Sequence, residues 1–459
     1  MKFLYAHLID IYSKGKSSMA IKEPEDKYNI VSYIFILLGI GVLLPWNAVL
    51  TALDFFAMNY SDYDPYFVFG LTLNAPAFAF NFVGIFAPKY ISLKIRMLVS
   101  IFTILSLQVV MPFVAEYMNQ KTGWIITMLI IVVMGIASSF FQGGVFGFAG
   151  MFPFKYTAGV MFGNGISGLT VNVLRMICLG IFPPSNDPND KSDFYGCLIY
   201  FSIAAVILVV CAFAFIYVEN TELAKFYTEK AKNQQPNPTN NERAQLLDAM
   251  NSSDSHSVKE INQSMLTSRT ADTSMISKNS AKPSSFFEVY RKIMSMALQV
   301  FFCFLITFVV FPGTSLSTQF DFLGTSAKAQ SWFLVLIITV FNIFDTIGRF
   351  LGGPYQFFTP RTLFILTVSR LIFIPLLVLM QLSATPHGIF KSDWFRIVNM
   401  ALFAFTNGYN STLAMIFGPS LVGNADKEVA GIIMSFHLIG GIFAGSLIAS
   451  FAMVNVPTY

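Results

Sequence analysis

Runs of about twenty apolar residues, separated by short polar breaks, recur near 30–53, 66–88, 97–115, 124–148, 158–182, 195–218, 293–312, 331–353, 362–383, 397–418 and 429–453. Each is long enough to cross a bilayer as a helix, so the pattern predicts an all-α polytopic membrane protein with eleven transmembrane helices. The first run follows five lysines and holds Pro45, Trp46 and Asn47 where a small-residue cleavage site would stand, so it reads as a retained helix and not a signal peptide. Residues 219–288 break the pattern. They are rich in Ser, Asn, Gln, Lys and Thr around QQPNPTNNERAQ and cannot bury enough surface to fold alone. They are expected to form a flexible cytosolic loop with a short juxtamembrane helix at TELAKFYTEKAK. The loop divides a cytosolic N-terminus (1–29) and a six-helix bundle (30–218) from a five-helix bundle (289–459). Two helical bundles around a midplane site is a common transporter plan.

Composition removes the soluble alternatives. Charged residues make up 12% of the chain, against about 25% in soluble domains, while 55% is apolar and 16% aromatic. The net charge of +4 is not gathered into a nucleic-acid patch. With the N-terminus in the cytosol, twenty-one Lys and Arg fall on the cytosolic side, five outside and three within spans. That bias supports the orientation, and an odd number of spans then puts Tyr459 outside. Trp124, Trp332 and Trp394 sit at predicted outer helix ends, where indoles favour the interface; Trp46, well inside the first span, needs another reason. All four cysteines lie in apolar runs as small hydrophobic thiols, and neither a disulfide framework nor a metal site is expected.

Four charged residues fall within the predicted spans: Arg175, Asp345, Arg349 and Arg370. Each costs about 2.5–3.5 kcal/mol at the bilayer centre and so needs a partner or a wet path. In FNIFDTIGRF, Asn342, Asp345 and Arg349 fall at i, i+3 and i+7, one polar stripe on which Asp345 and Arg349 can pair. The stripe reads as a structural ion pair, as the lining or gate of a solute path, or as both. Asn164, Gly168, Asn172 and Arg175 form a second stripe on the fifth span. GNGISG there matches the dinucleotide glycine pattern, but no strand precedes it and no βαβ unit fits inside a span, so its glycines are read as close helix packing. The same reading covers FQGGVFGFAGMF in the fourth span. Asn164 is open between ligand contact and interhelical bond, as are Asn407, Asn410 and Ser411 in TNGYNST. Trp46 and Asn47, beside helix-bending Pro45, offer an aromatic plate and an amide to a planar solute, or a wedge between helices. His437 is expected to be simply hydrogen-bonded. No HExxH, GxSxG, P-loop or intramembrane carboxylate pair is present, so neither an enzyme nor a cofactor is expected.

These segments together resemble the equilibrative nucleoside transporter family: LLPWNAVLTALDFF, FQGGVFGFAGMFPFKYTAGVMFGNGISG, FVVFPG, FNIFDTIGR, and FAFTNGY with FGP, in family order over most of the membrane region. The resemblance implies a major-facilitator-like fold of six and five helices, an inside N-terminus and a long loop after the sixth span. It places Trp46 at the solute site and its gate, and Asp345 and Arg349 near the ribose. Asn164 stands where the family carries a glutamine, one methylene longer. The candidate substrate-binding or gating set is therefore Trp46, Asn47, Leu50, Gln142, Asn164, Asn342, Asp345, Arg349 and Asn407. The expected activity is facilitative transport of nucleosides, with nucleobases an open second class, by alternating access. The partners are a small-molecule substrate and the lipid bilayer. A proton-coupled carrier titrating Asp345 or His437 is the alternative within transport, and a ligand-sensing receptor the alternative outside it. Glu242, Leu246 and Leu247 have acidic-dileucine spacing, which resembles an endosomal or lysosomal sorting signal; the plasma membrane is the default address.

Overall fold

The computed structural model describes residues 23–63, 65–181, 191–232, 285–311, 327–381 and 388–453. Glu242, Leu246, Leu247 and most of the central polar segment lie outside the described residues. Eleven predicted spans correspond to α1 (Ile30–Thr51), α3 (Pro65–Phe86), α4 (Leu93–Tyr117), α5 (Gln120–Met151), α6 (Phe154–Ile181), α7 (Ser192–Asn220), α9 (Phe286–Val310), α10 (Ala327–Gly352), α11 (Leu363–Ser369) with α12 (Phe373–Gln381), α13 (Asp393–Ser420) and α14 (Lys427–Met453). Short helices follow the first and sixth of these: α2 (Leu53–Asn59) and the amphipathic α8 (Glu222–Lys232), the latter where the sequence placed a juxtamembrane helix.

Ten of the described helices are long and apolar enough to cross a membrane. The tenth predicted span, α13, is 28 residues long but less apolar than the rest. Its polar residues Asn399, Asn407, Asn410, Ser411 and Thr412 are buried against other helices, so this span meets protein more than lipid. Sequence and structure also differ at the ninth span, where a 3-10 turn (Arg370–Ile372) interrupts the helix. Pro375 has no N–H for the Leu371 carbonyl four residues back, and the chain tightens there.

Lipid gives apolar helices little reason to associate, so approach depends on small residues at the seams. A β-carbon on Gly39 or Gly163 would strike the carbonyls of Val160 and Ile36, which locks α1 to α6. Gly441 and Gly445 meet the Phe301 and Leu305 carbonyls, joining α14 to α9. The glycine-spaced stretch of α5 is likewise a packing surface: Gly144 faces Met97 of α4, while Gly147 and Gly150 face the start of α14. Exposed Phe102, Val133, Phe213 and Leu402 cover the periphery. Such a coat is an aggregation surface in water and an ordinary one in hydrocarbon.

Helices α1 and α3–α7 pack chiefly on one another, as do α9–α14, and the two groups meet where α10 runs along α6 and α14 lies on α3 and α5. At the end that carries α8, Arg96 of α4 pairs with Glu428 of α14 at 2.6 Å. Deeper in, Asn81 of α3 donates to the Ser139 carbonyl of α5 at 3.1 Å and to Ser435 of α14 at 3.4 Å. Helix α8 touches α7, α5 and the 3-10 turn Asn424–Asp426 ahead of α14, so it too reaches both groups. Tyr227 of α8 donates to the Glu23 carboxylate; burial first, and that carboxylate second, push its phenol well above the usual range.

Candidate functional site

The stripes predicted on the fifth and eighth spans face each other. On α6, Met161, Asn164, Gly165, Gly168 and Asn172 recur at three- and four-residue steps; on α10, Thr339, Asn342, Thr346 and Arg349 do the same. Asn172 Nδ2 donates to Thr339 Oγ1 at 3.2 Å. A β-carbon on Gly168 would come within 2.7 Å of Asn342 Oδ1, and one on Gly165 within 2.8 Å of Thr346 Oγ1. Arg349 Nη1 lies 3.8 Å from Met161 Sδ. Of the residues whose periodicity stood out in the sequence, Gly168, Asn172, Asn342 and Arg349 meet across this seam, joined by Met161, Gly165, Thr339 and Thr346, whereas Asp345 turns to α13 and Arg175 to Tyr200.

Asp345 and Arg349 pair as their i, i+4 spacing predicts, Nε to Oδ2 at 2.6 Å, both almost wholly buried. The carboxylate has a second donor that helical spacing cannot reveal: Asn407 Nδ2 of α13 gives a hydrogen bond of 2.8 Å to Asp345 Oδ1. An ionised carboxylate accepts about four bonds, so Asp345 keeps capacity for further donors. The remaining N–H groups of Arg349 have no protein acceptor among the described residues. Of the neighbouring members of TNGYNST, Asn410 acts as helix glue, its Nδ2 donating to Thr367 Oγ1 of α11 at 3.0 Å, whereas Ser411 Oγ donates within α13 to the Gly408 carbonyl at 3.2 Å.

Asn164 is buried on α6, and its Oδ1 accepts no hydrogen bond. Gln142 on α5 is buried with Nε2 unpartnered, one residue before Gly143, which faces Asn81 and Ile432. A buried group left unpaired costs about 1–3 kcal/mol, and neither of these atoms has a partner among the described residues. Asn47, in contrast, donates to Ser167 Oγ of α6 at 3.0 Å and so ties α1 to the seam helix. Trp46 is half-buried with its ring edge beside Gly70 of α3, and among the described residues no aromatic ring stacks on it. Leu50 follows one turn later, also half-buried. Of the other groups singled out in the sequence, Arg175 reaches Tyr200 at 3.4 Å, and His437 meets the Ile433 carbonyl at 2.9 Å and the Tyr290 hydroxyl at 3.4 Å. His437 is thus hydrogen-bonded in place, as expected.

A tightly held acid and base at a seam between two helix groups, with spare hydrogen-bonding capacity on both, suits a neutral solute rich in hydroxyl groups. Residues 128–454 match the model of a family described as "Nucleoside transporter". The mouse "Equilibrative nucleoside transporter 1" is 29% identical, over 93% of this chain and 97% of its own length; the human protein of that name is 28% identical over the same shares. The Arabidopsis thaliana "Equilibrative nucleotide transporter 1" is 25% identical over 94% of this chain and 88% of its own. Among solved structures, the major facilitator superfamily proton:xylose symporter XylE aligns with a TM-score of 0.59 over 94% of this chain and 90% of its own, at 11% identity, which speaks for the fold alone.

Proposed function

The chain belongs to the nucleoside transporter family, and we propose from that premise that it carries nucleosides down their gradient by alternating access of its two helix groups. The observation that carries the reading is the Asp345–Arg349–Asn407 constellation, whose arginine lies against Met161 of α6, the helix that also carries Asn164. A ribose hydroxyl is both donor and acceptor. It can donate to the spare lone pairs of Asp345 while accepting from the free N–H groups of Arg349. A base offers N–H donors to Asn164 Oδ1 and acceptors to Gln142 Nε2, and a flat face to Trp46. Nucleobases lack the sugar that the acid and base would hold, so they are the weaker substrates in this reading. The end that carries α8 is the cytosolic one by the distribution of basic residues, and the default address is the plasma membrane.

Alternating access supposes that the links at the α8 end, above all Arg96–Glu428 and Asn81–Ser435, break as the far end closes. Proton coupling is disfavoured because Asp345 is already committed to two donors and His437 to Ile433 and Tyr290. The test is counterflow in proteoliposomes. Labelled uridine or adenosine should enter saturably, faster when unlabelled nucleoside is loaded inside, and without response to an imposed pH gradient. Saturable uptake that is blind to internal nucleoside would remove the carrier reading, and accumulation driven by the pH gradient would replace it with the proton-coupled one.

A further inference from the structure

Arg370 is fully buried in the turn that interrupts the ninth span. Among the described residues no carboxylate lies within ion-pair reach of it. Its guanidinium is held by neutral groups: Nη1 donates to the Phe403 carbonyl at 3.2 Å and Thr406 Oγ1 at 3.0 Å, and Nη2 to Thr307 Oγ1 at 2.6 Å and Asn407 Oδ1 at 3.3 Å. The cation also lies 5.0 Å from the centroid of the Phe403 ring. Nε has no partner. An arginine in this state is costly at membrane depth, and the helix closure it provides could be had from apolar packing at less cost.

The chemistry of donors gives a reason for it. A guanidinium has no acceptor, so whatever side-chain amide it meets must present its oxygen. Asn407 does so, and its Oδ1 also takes the Thr307 hydroxyl at 2.7 Å. With the oxygen fixed on that side, Nδ2 points the other way, at Asp345 Oδ1. Reversing the amide would set its N–H₂ against Arg370 and its oxygen against a carboxylate, two repulsive contacts at once. We propose that Arg370 is a positioning residue for the solute site: by orienting Asn407 it holds the Asp345 side chain aimed, so that Asp345 discriminates sugar hydroxyls. The chain of contacts runs Arg370, Asn407, Asp345, Arg349 and crosses from the ninth span through α13 to α10. Two cations thus flank one carboxylate, directly on one side and through an amide on the other. Cys303 of α9, whose Sγ lies 3.4 Å from Asn407 Oδ1, is the other titratable group facing this chain.

This inference rests on the reading that Asp345 meets sugar hydroxyls, and the test separates the two. Binding of uridine and of its 2′,3′-dideoxy analogue is measured by competition on purified protein in nanodiscs, for wild type, Asp345→Asn, Arg370→Met and Arg370→Lys. Wild type should prefer uridine by roughly tenfold, the value of one charge-assisted hydrogen bond of about 1.5 kcal/mol. Asp345→Asn should lose that preference. Arg370→Met should lose it as well while still binding the dideoxy analogue, and Arg370→Lys, whose single nitrogen lacks the fork that reaches the Phe403 carbonyl from Nη1 and Asn407 from Nη2, should retain only part of it. A merely structural arginine would weaken both ligands alike and leave their ratio unchanged. Preservation of the full ratio in Arg370→Met, or in Arg370→Lys if the methionine variant does not fold, overturns the positioning role and leaves the site reading intact. A ratio that survives Asp345→Asn sinks the site reading, and the inference with it.

Discussion

Gly408 on α13 rests against the backbone carbonyl of Asp345 on α10, so closely that a β-carbon has no room. The approach is reciprocal, since Gly348 of α10 meets the Phe405 carbonyl of α13 in the same way. This contact sets the distance over which Asn407, the residue before Gly408, reaches Asp345 at 2.8 Å. Gly408→Ala must push the helices apart, an overpacking strain of about 1–3 kcal/mol. It is expected to lower both membrane abundance and uptake per molecule, because the Asn407 bond stretches with the seam. Normal uptake per molecule, measured against surface-labelled protein, would show that the approach serves packing alone.

Asp345 and Arg349 should behave as a unit, because either charge left alone is poorly compensated at their depth. Uptake is expected to fall at least tenfold in Asp345→Asn and in Arg349→Gln, with the double variant no worse than the weaker single one. Strictly additive losses at normal abundance would mean that the two residues work separately.

Trp46 has one edge beside Gly70, packs against the core and meets no stacking ring among the described residues, so a solute base is the ring it is expected to stack on. An aromatic contact of this kind contributes about 0.5–1.5 kcal/mol beyond burial. Trp46→Ala should therefore raise the KM for nucleosides about two- to tenfold, and Trp46→Phe less, with abundance kept. Disappearance of both variants from the membrane would make the indole a structural wedge.

The helices, the facing stripes of α6 and α10 and the Asp345–Arg349 pair were legible because each depends on spacing within one segment: twenty apolar residues, three- and four-residue steps, an i, i+4 charge pair. What depends on relations between segments was not. Nothing in the ninth span says that Arg370 faces Asn407, since helix periodicity carries no information about which neighbour a face meets. Asn47 looked like a ligand group beside Trp46, and its amide also donates to Ser167 of another helix, a link the sequence does not reveal. Hydropathy likewise undervalued α13, whose polar residues are satisfied by tertiary partners such as Thr367 and Asp345.

Asn164 offers a buried acceptor with no donor among the described residues, and a solute N–H is the group that would satisfy it. Lengthening the side chain by one methylene in Asn164→Gln moves that acceptor by about 1.5 Å along the chain, enough to break one hydrogen bond and make another. The ranking of adenosine, inosine, cytidine and uridine should change by several-fold while surface abundance stays constant. An unchanged ranking across that panel would take Asn164 out of the solute site and leave it a helix-seam residue.

At the α8 end, Arg96 is nearly inaccessible and Glu428 about one-quarter exposed in its side chain. A pair so placed ties α4 to α14, hence one helix group to the other, and should stabilise the arrangement in which this end is closed. Removing one partner leaves the other charge poorly paired and favours opening. In a chain whose four cysteines are replaced, Ser435→Cys, buried beneath the link, reports opening through its rate of modification by a thiol reagent added from the α8 side. Arg96→Gln should raise that rate about tenfold, equivalent to about 1.4 kcal/mol, and the exchanged pair Arg96→Glu with Glu428→Arg should bring it back down. A rate indifferent to Arg96→Gln would mean that the ion pair does not hold this end closed and that other contacts, such as Gly147 and Gly150 against the start of α14, keep it shut.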